Sequence, residues 1–286
     1  MQDFRQIGVV GAGAMGNGIA QVFAASGYAV LMRDLKPDVL DRGMANISKS
    51  LDRLVSRDKL TQKERDAAIA RIRPTTELKE LAPCTIVVEA IVENYEAKAG
   101  LLRELDAICA ADAIFATNTS SISVTHIAAA SRDPGRVIGM HFFNPVPMMQ
   151  LVEIIRALQT TETVCQSVVG LVETLGKKAR VSKDSYGFVV NRVLIPMIND
   201  AINCVHEGLA SADEIDVMMK LGANHPMGPL ALADLIGLDI VLDIMETLYH
   251  GFDDPKYRPS PLLKQMCHAG YLGRKTRRGF FTYPDK

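Results

Sequence analysis

The chain has 286 residues, enough for two domains, and its 48% hydrophobic and 23% charged residues are typical of globular proteins. Its 32 Lys and Arg residues nearly balance its 33 Asp and Glu residues. This balance gives no electrostatic reason to expect a nucleic acid or an anionic membrane as partner. Without a predicted membrane span, targeting segment, C-x-x-C pair or metal-ligand spacing, we expect a cytoplasmic protein with no metal and no disulfide framework.

The first predicted unit is a strand, a glycine-rich turn, a helix and a second strand. Apolar residues 7–10 enter a G-x-G-x-x-G motif, a helix is expected over 14–26, and a strand follows over 28–32. The glycines of this motif allow a tight turn, close approach of a pyrophosphate and close helix packing, and the helix N-terminus attracts the phosphates. The motif predicts a dinucleotide site formed by Gly11, Gly13, Ala14, Met15 and Gly16.

An acidic residue follows the second strand at the interval expected of a ribose ligand. Asp34 lies roughly 20 residues after Gly11, where a carboxylate holds the ribose 2′-hydroxyl of NAD and repels the 2′-phosphate of NADP. Arg33 and Lys36 flank it and leave NADP use open. The sequence therefore predicts NAD as the cofactor.

Further elements alternate between strands and helices up to about residue 184. A charged, helix-periodic stretch over 38–73, ended by Pro74, predicts a helical excursion. The alternation predicts an α/β fold with a Rossmann-like, doubly wound and mostly parallel sheet. The other strands are expected over 85–89, 114–117, 136–143, 151–155 and 179–182, and the other helices over 94–110 and 163–175.

Beyond about residue 184, the sequence pattern predicts helices and no strands. Helices are expected over 187–207, 211–222, 230–250 and 261–269, so we place an NAD-binding domain over 1–184 and an all-helical substrate domain over 185–286. Ser211 and Glu214 form a capping box at the start of the second of these helices. Its acids are interpreted as a solvated first turn: Asp213, Glu214 and Asp216. The apolar helix faces predict a homodimer interface.

Two residues near strand ends suit proton transfer. His141 closes the strand over 136–143, where ligands of open α/β sheets bind, and an unperturbed imidazole pKa of about 6.5 suits exchange with an alcohol. Glu153 lies in an apolar strand, where a carboxylate needs a partner, and it is the best candidate to orient the imidazole. The alternatives are a core histidine bonded to a carbonyl and a carboxylate in a structural pair.

Several motifs together resemble the 3-hydroxyacyl-CoA dehydrogenase family over nearly the whole chain. They are GAGAMGNGIAQ, TNTSS, GMHFFNPVP, LVEIIR, GFVVNR and GYLGRKT. The resemblance implies oxidation of an (S)-3-hydroxyacyl-CoA to a 3-ketoacyl-CoA, or the reverse, with NAD(H). The short chain is similar to bacterial members that act on 3-hydroxybutyryl-CoA and acetoacetyl-CoA.

The resemblance also implies roles for individual residues. His141 matches the base and Glu153 its orienting acid, while Ser120 and Asn191 match the groups that polarise the substrate. Ser120 could instead cap a helix, and Asn191 could be structural. Further residues would line the cofactor, namely Glu93, Lys98, Asn118, Ser120 and Asn144. Others would meet the CoA tail or form a solvated helix face, namely Ser50, Arg53, Arg57 and Lys59.

The sequence departs from the family pattern at two positions, and two other functions remain as alternatives. Tyr186 stands where proline is usual, and Arg277 where glycine or a small residue is usual. A β-hydroxyacid dehydrogenase acting on free acids generally uses lysine as its proton carrier, whereas this chain offers His141. A non-enzymic NAD-binding protein, such as a lens crystallin, has no need for all four polar residues together.

Overall fold

The computed structural model describes residues 4–284, and the chain divides into two compact units between Ser185 and Tyr186. Strands and helices alternate in the first unit, because apolar runs suited to buried strands are separated by helix-periodic segments. Its elements are β1 (Gln6–Val10), α1 (Ala14–Ala25), β2 (Ala29–Arg33), α2 (Pro37–Val55), α3 (Gln62–Ala70), β3 (Ile72–Thr75), β4 (Ile86–Glu89), α4 (Tyr95–Ile108), β5 (Ile114–Thr117), α5 (Val124–Ala128), β6 (Val137–Phe142), β7 (Leu151–Arg156), α6 (Glu162–Thr174) and β8 (Lys178–Lys183).

The strands form one eight-stranded sheet in the order β3-β2-β1-β4-β5-β6-β7-β8. All neighbours are parallel except β6 and β7, which are antiparallel. The central strands are buried on both faces, as the consecutive residues Val9 and Val10 of β1 and Val87 and Val88 of β4 illustrate, because parallel sheets are covered by helices on both sides. The predicted doubly wound, mostly parallel sheet is confirmed, and its order reverses between β1 and β4, the switch point where such folds bind ligands.

The predicted helical excursion over 38–73 is wrong in its last part. It consists of α2 and α3, and then the chain enters strand β3, which contains Pro74. Proline is tolerated there because β3 is an edge strand, paired with β2 alone, so its missing N–H interrupts no ladder. Pro74 stops a helix, but in this position it does not stop a strand.

The second unit consists of helices α7 (Val190–His206), α8 (Ala212–Gly222), α9 (Pro229–Ile236), α10 (Leu238–Phe252) and α11 (Pro261–His268). The helix expected from 187 begins at Val190, because Gly187 and Phe188 have φ of +69° and +51° and cannot continue a right-handed helix. The helix expected over 230–250 is two helices, divided at Gly237 with φ of +107°. Among residues 4–284, none of the helices combines the length and the apolar character needed to cross a bilayer.

The interpretation of Asp216 as a solvated residue is wrong. Its side chain is buried, and its two carboxylate oxygens accept the N–H groups of Leu230 at 2.8 Å and Ala231 at 2.9 Å. These are amides at the start of α9, which have no acceptor within their own helix, so Asp216 caps α9 from a neighbouring helix. The capping box of Ser211 and Glu214 is present as predicted.

We predict that Asp216→Ala lowers the free energy of unfolding by about 1–3 kcal/mol, because two buried amides lose their acceptor. Denaturant unfolding of both proteins measures this difference. Asp213→Ala is the matched control, since Asp213 lies in the first turn of the same helix but is exposed. Equal losses in the two variants would contradict the capping role.

Candidate active site

The glycine turn leaves open space above its middle residue. Gly11 has φ of +101°, and a Cβ on Gly16 would overlap the Gly11 carbonyl oxygen, so these two glycines are required by the protein itself. Gly13 is exposed, and a Cβ there would meet no protein atom within 4 Å. No side chain caps the helix that follows it, so the amides of the first turn of α1 face a place that a pyrophosphate fits.

Asp34 is held beside this turn by backbone amides. Its Oδ2 accepts the N–H of Ala12 at 2.8 Å, and its Oδ1 accepts that of Lys36 at 3.3 Å. The bond to Ala12 connects the end of β2 to the glycine turn. The sequence motif predicts that the adenine ribose of the cofactor binds at this point. A fixed carboxylate at this point favours NAD, because it would repel an additional 2′-phosphate.

The antiparallel pairing of β6 and β7 brings His141 opposite Glu153. The His141 Nδ1 and the Glu153 Oε2 are 2.9 Å apart, and the two residues are only 4% and 3% exposed. With Nδ1–H directed at a carboxylate, the neutral ring has Nε2 as its basic nitrogen. His141 and Glu153, which the sequence analysis expects to pair, therefore form a buried hydrogen-bonded pair that could accept a proton at Nε2 and stabilise the resulting imidazolium.

The loop after β5 is fixed to its surroundings by side chains of the neighbouring strands and loops. Asn118 is buried, and its Oδ1 accepts the N–H of Phe142 at 2.8 Å, which joins the end of β5 to the strand of His141. The Glu93 Oε1 accepts the Thr119 hydroxyl at 2.5 Å and the amides of Ser120 and Ser121 at 2.9 and 3.0 Å. Ser120 thus lies in a loop that one carboxylate holds in place.

Lys98 lies beneath this loop. Its side chain is 1% exposed, and its Nζ is 2.7 Å from Glu89 Oε1 and 3.3 Å from Glu93 Oε2. Burial raises the pKa of Glu93, but the charge of Lys98 and the bonds from Thr119 and Ser120 outweigh this and leave that pKa below its usual value.

Sequence reasoning missed Glu89, which ends strand β4. The signal was available, because Glu89 is a carboxylate in the apolar run 86–89, as Glu153 is in the run 151–155, and both require partners. The Glu89 Oε2 accepts the Thr117 hydroxyl at 2.7 Å, and its Oε1 accepts the N–H of Ile91 at 2.7 Å in addition to Lys98.

The remaining expected site residues occupy other positions. Asn144 is exposed in the loop after β6, before a cis bond to Pro145. Asn191 lies in the first turn of α7, in the second unit. The four residues expected near a CoA tail lie toward the end of α2 or in the turn after it. Ser50 is half-buried, and the three basic residues are exposed, namely Arg53, Arg57 and Lys59.

Comparisons with known proteins assign both units to the same family. Residues 6–185 match the model of the 3-hydroxyacyl-CoA dehydrogenase NAD binding domain, and residues 187–283 match that of the 3-hydroxyacyl-CoA dehydrogenase C-terminal domain. A probable 3-hydroxybutyryl-CoA dehydrogenase of Deinococcus radiodurans is 52% identical over 278 residues, 97% of this chain and 100% of that protein. One of Bacillus subtilis is 51% identical over 284 residues, 99% of each chain.

A solved structure is similar over the full length. The crystal structure of (S)-3-hydroxybutyryl-CoA dehydrogenase from Ralstonia eutropha superposes with a TM-score of 0.96 and 52% sequence identity, covering 99% of this chain and 100% of that one. NAD as cofactor follows from the matched domain, in agreement with the prediction from the glycine motif and Asp34.

We predict that Asp34→Asn weakens NADH binding by about tenfold and narrows the difference in affinity between NADH and NADPH, because the variant loses the charge that holds the ribose and repels a 2′-phosphate. Titration of cofactor fluorescence measures both dissociation constants. The control is Asp38→Asn, since Asp38 is exposed at the start of α2 and pairs with Arg42. An unchanged ratio of NADH to NADPH affinity would contradict the assignment.

Proposed function

The chain belongs to the 3-hydroxyacyl-CoA dehydrogenase family, and from that premise we propose that it interconverts (S)-3-hydroxybutyryl-CoA and acetoacetyl-CoA, with His141 and Glu153 as its acid–base pair. The observation that carries the proposal is the 2.9 Å contact between the two buried side chains. Relatives named for 3-hydroxybutyryl-CoA, identical at about half of all positions, support the short-chain substrate.

His141 moves the proton of this reaction. The glycine turn and Asp34 would hold NAD, which would supply the acceptor for the hydride of the substrate C3. His141 Nε2 takes the proton of the C3 hydroxyl at the same time, and Glu153 stabilises the imidazolium through Nδ1–H. In the direction of reduction the imidazolium is the acid, and it donates its Nε2 proton to the oxygen of the 3-keto group.

Hydrogen-bond donors polarise the substrate in this proposal. The Ser120 hydroxyl donates to a substrate oxygen on which charge develops, and the fixed loop around it limits reorganisation during the reaction. The corresponding role of Asn191 rests on its place in the GFVVNR motif. Exposed basic residues at the end of α2 and in the turn after it complement the CoA phosphates, namely Arg53, Arg57 and Lys59, with Ser50 beside them.

We predict that the protein oxidises NADH in the presence of acetoacetyl-CoA and that His141→Gln lowers kcat by roughly two to four decades, because the substrate loses its proton donor. Absorbance of NADH measures the rate. NADH affinity should be nearly unchanged in the variant, since His141 contributes to chemistry and not to cofactor affinity.

Two results would contradict this proposal. Absence of turnover by the folded wild-type protein would exclude the substrate, and an equal loss of NADH affinity in His141→Gln would reassign the histidine. Turnover of free 3-hydroxybutyrate without CoA would instead favour a β-hydroxyacid dehydrogenase.

The helical unit is proposed to form a homodimer interface. Large apolar side chains are exposed on this unit. In α8, Val217 and Met218 both neighbour Leu221 on the helix surface, and Leu221 is 82% and Met218 62% exposed. Exposed apolar patches on one element are typical of protein interfaces.

We predict a mass in solution of twice the 31.2 kDa chain at micromolar concentration, and a monomer for Met218→Lys/Leu221→Lys, because the charges oppose burial of that face. Light scattering coupled to size exclusion measures both. A monomeric wild-type protein would exclude the dimer, whereas a dimeric double variant would move the interface to another face.

A further inference from the structure

Three charged side chains connect the end of β4 to the loop that carries Ser120. Glu89 ends β4, Lys98 lies in α4, and Glu93 lies in the segment between them. The Lys98 ammonium bonds to Glu89 and faces Glu93, and Glu93 receives the loop amides. The three residues therefore form one continuous chain of contacts from a buried strand end to the loop.

The side chain of Lys98 is almost completely buried. It is 1% exposed, whereas that of Glu93 is 38% exposed. A buried ammonium needs compensating charge, and Glu89 supplies it at 2.7 Å. Glu89 is itself fixed by Thr117 and Ile91, so Lys98 is anchored on its protein side and directs its charge at Glu93.

Glu93 contacts both this charge and the loop. Its Oε1 accepts four hydrogen bonds, from the hydroxyls of Thr119 and Ser121 and from the amides of Ser120 and Ser121. A carboxylate that is more than one-third exposed can exchange such bonds for water, since the net gain of each bond in the protein is small. The attraction between the Lys98 ammonium and the Glu93 Oε2 favours the position in which the Glu93 carboxylate contacts the loop instead of water.

We propose that Lys98, anchored by Glu89, is a positioning residue of the dehydrogenase reaction, which holds Glu93 against the loop and so determines where the Ser120 hydroxyl lies. The effect on the reaction rests on the proposed function of Ser120, but the effect on the loop does not. Displacement of a catalytic group by about 1 Å is enough to lower a rate by about a hundredfold.

Lys98→Met removes the link while keeping the length of the side chain. We expect amide hydrogen exchange at Ser120 and Ser121 to become at least about tenfold faster, because their acceptor is released, and kcat to fall by about tenfold to a hundredfold. Exchange is followed by NMR or mass spectrometry, and kcat by NADH absorbance with acetoacetyl-CoA. Tm should also fall, because Glu89 is left buried without its cation.

The double variant Glu89→Gln/Lys98→Met separates positioning from stability. The glutamine amide can accept the N–H of Ile91 and donate to the Thr117 hydroxyl, so no uncompensated charge stays buried. We expect its Tm to return toward the wild-type value, while exchange at Ser120 and Ser121 stays fast and kcat stays low. Recovery of exchange protection and kcat together with Tm would overturn the proposal.

Arg136→Met is the matched control. Arg136 is a buried cation paired with the buried Asp106 in the same unit, but it precedes β6 and so lies at the opposite end of that strand from His141. Its loss should lower Tm. Below the melting temperature, kcat and the hydrogen-exchange rates of the Ser120 and Ser121 amides should be unchanged. If the Ser120 and Ser121 amides of Lys98→Met exchanged at the wild-type rate, the positioning role would be overturned. If their exchange were faster in the variant but the wild-type protein did not turn over acetoacetyl-CoA, only the proposed function would be contradicted.

Discussion

The hydrogen bond between His141 and Glu153 is the constraint around which the end of the sheet where β6 terminates is organised. It depends on the antiparallel pairing of β6 with β7, because reversal of β7 brings the first half of that strand to the edge where β6 ends. A parallel β7 would present its last residues there instead. A slip of one residue would turn the two side chains to opposite faces of the sheet, so the buried pair and the strand register specify each other.

The edge of the sheet formed by the ends of β4, β5 and β6 is also fixed by carboxylates within apolar strands. Glu89 ends such a run and accepts bonds from Ile91, Lys98 and Thr117, and Glu153 interrupts another and pairs with His141. Between them, Asn118 joins β5 to the backbone of β6 at Phe142. A buried polar network of this kind favours one arrangement of strand ends, because any displacement leaves a charged or polar group without its partner.

Much of this could be predicted from the sequence, and the exceptions have physical causes. The glycine turn and the alternating elements are local signals, and the pairing of His141 with Glu153 followed from the cost of an isolated carboxylate. Strand β3 was missed because Pro74 is permitted on an edge that only the assembled sheet defines. The burial of Asp216 was missed because its partners lie 14 and 15 residues away, at the start of another helix. Glu89 was missed although the argument that found Glu153 applies to it equally.

The most direct measurement of the central claim is the nitrogen NMR spectrum of His141 in histidine-labelled protein, assigned by loss of its signals in His141→Gln. The account predicts that the neutral ring carries its proton on Nδ1, facing Glu153, with Nε2 as the basic nitrogen. It further predicts that this tautomer preference weakens in Glu153→Gln. A neutral ring protonated on Nε2 in the wild-type protein would contradict the account, because the imidazole could not then accept the proton of the substrate.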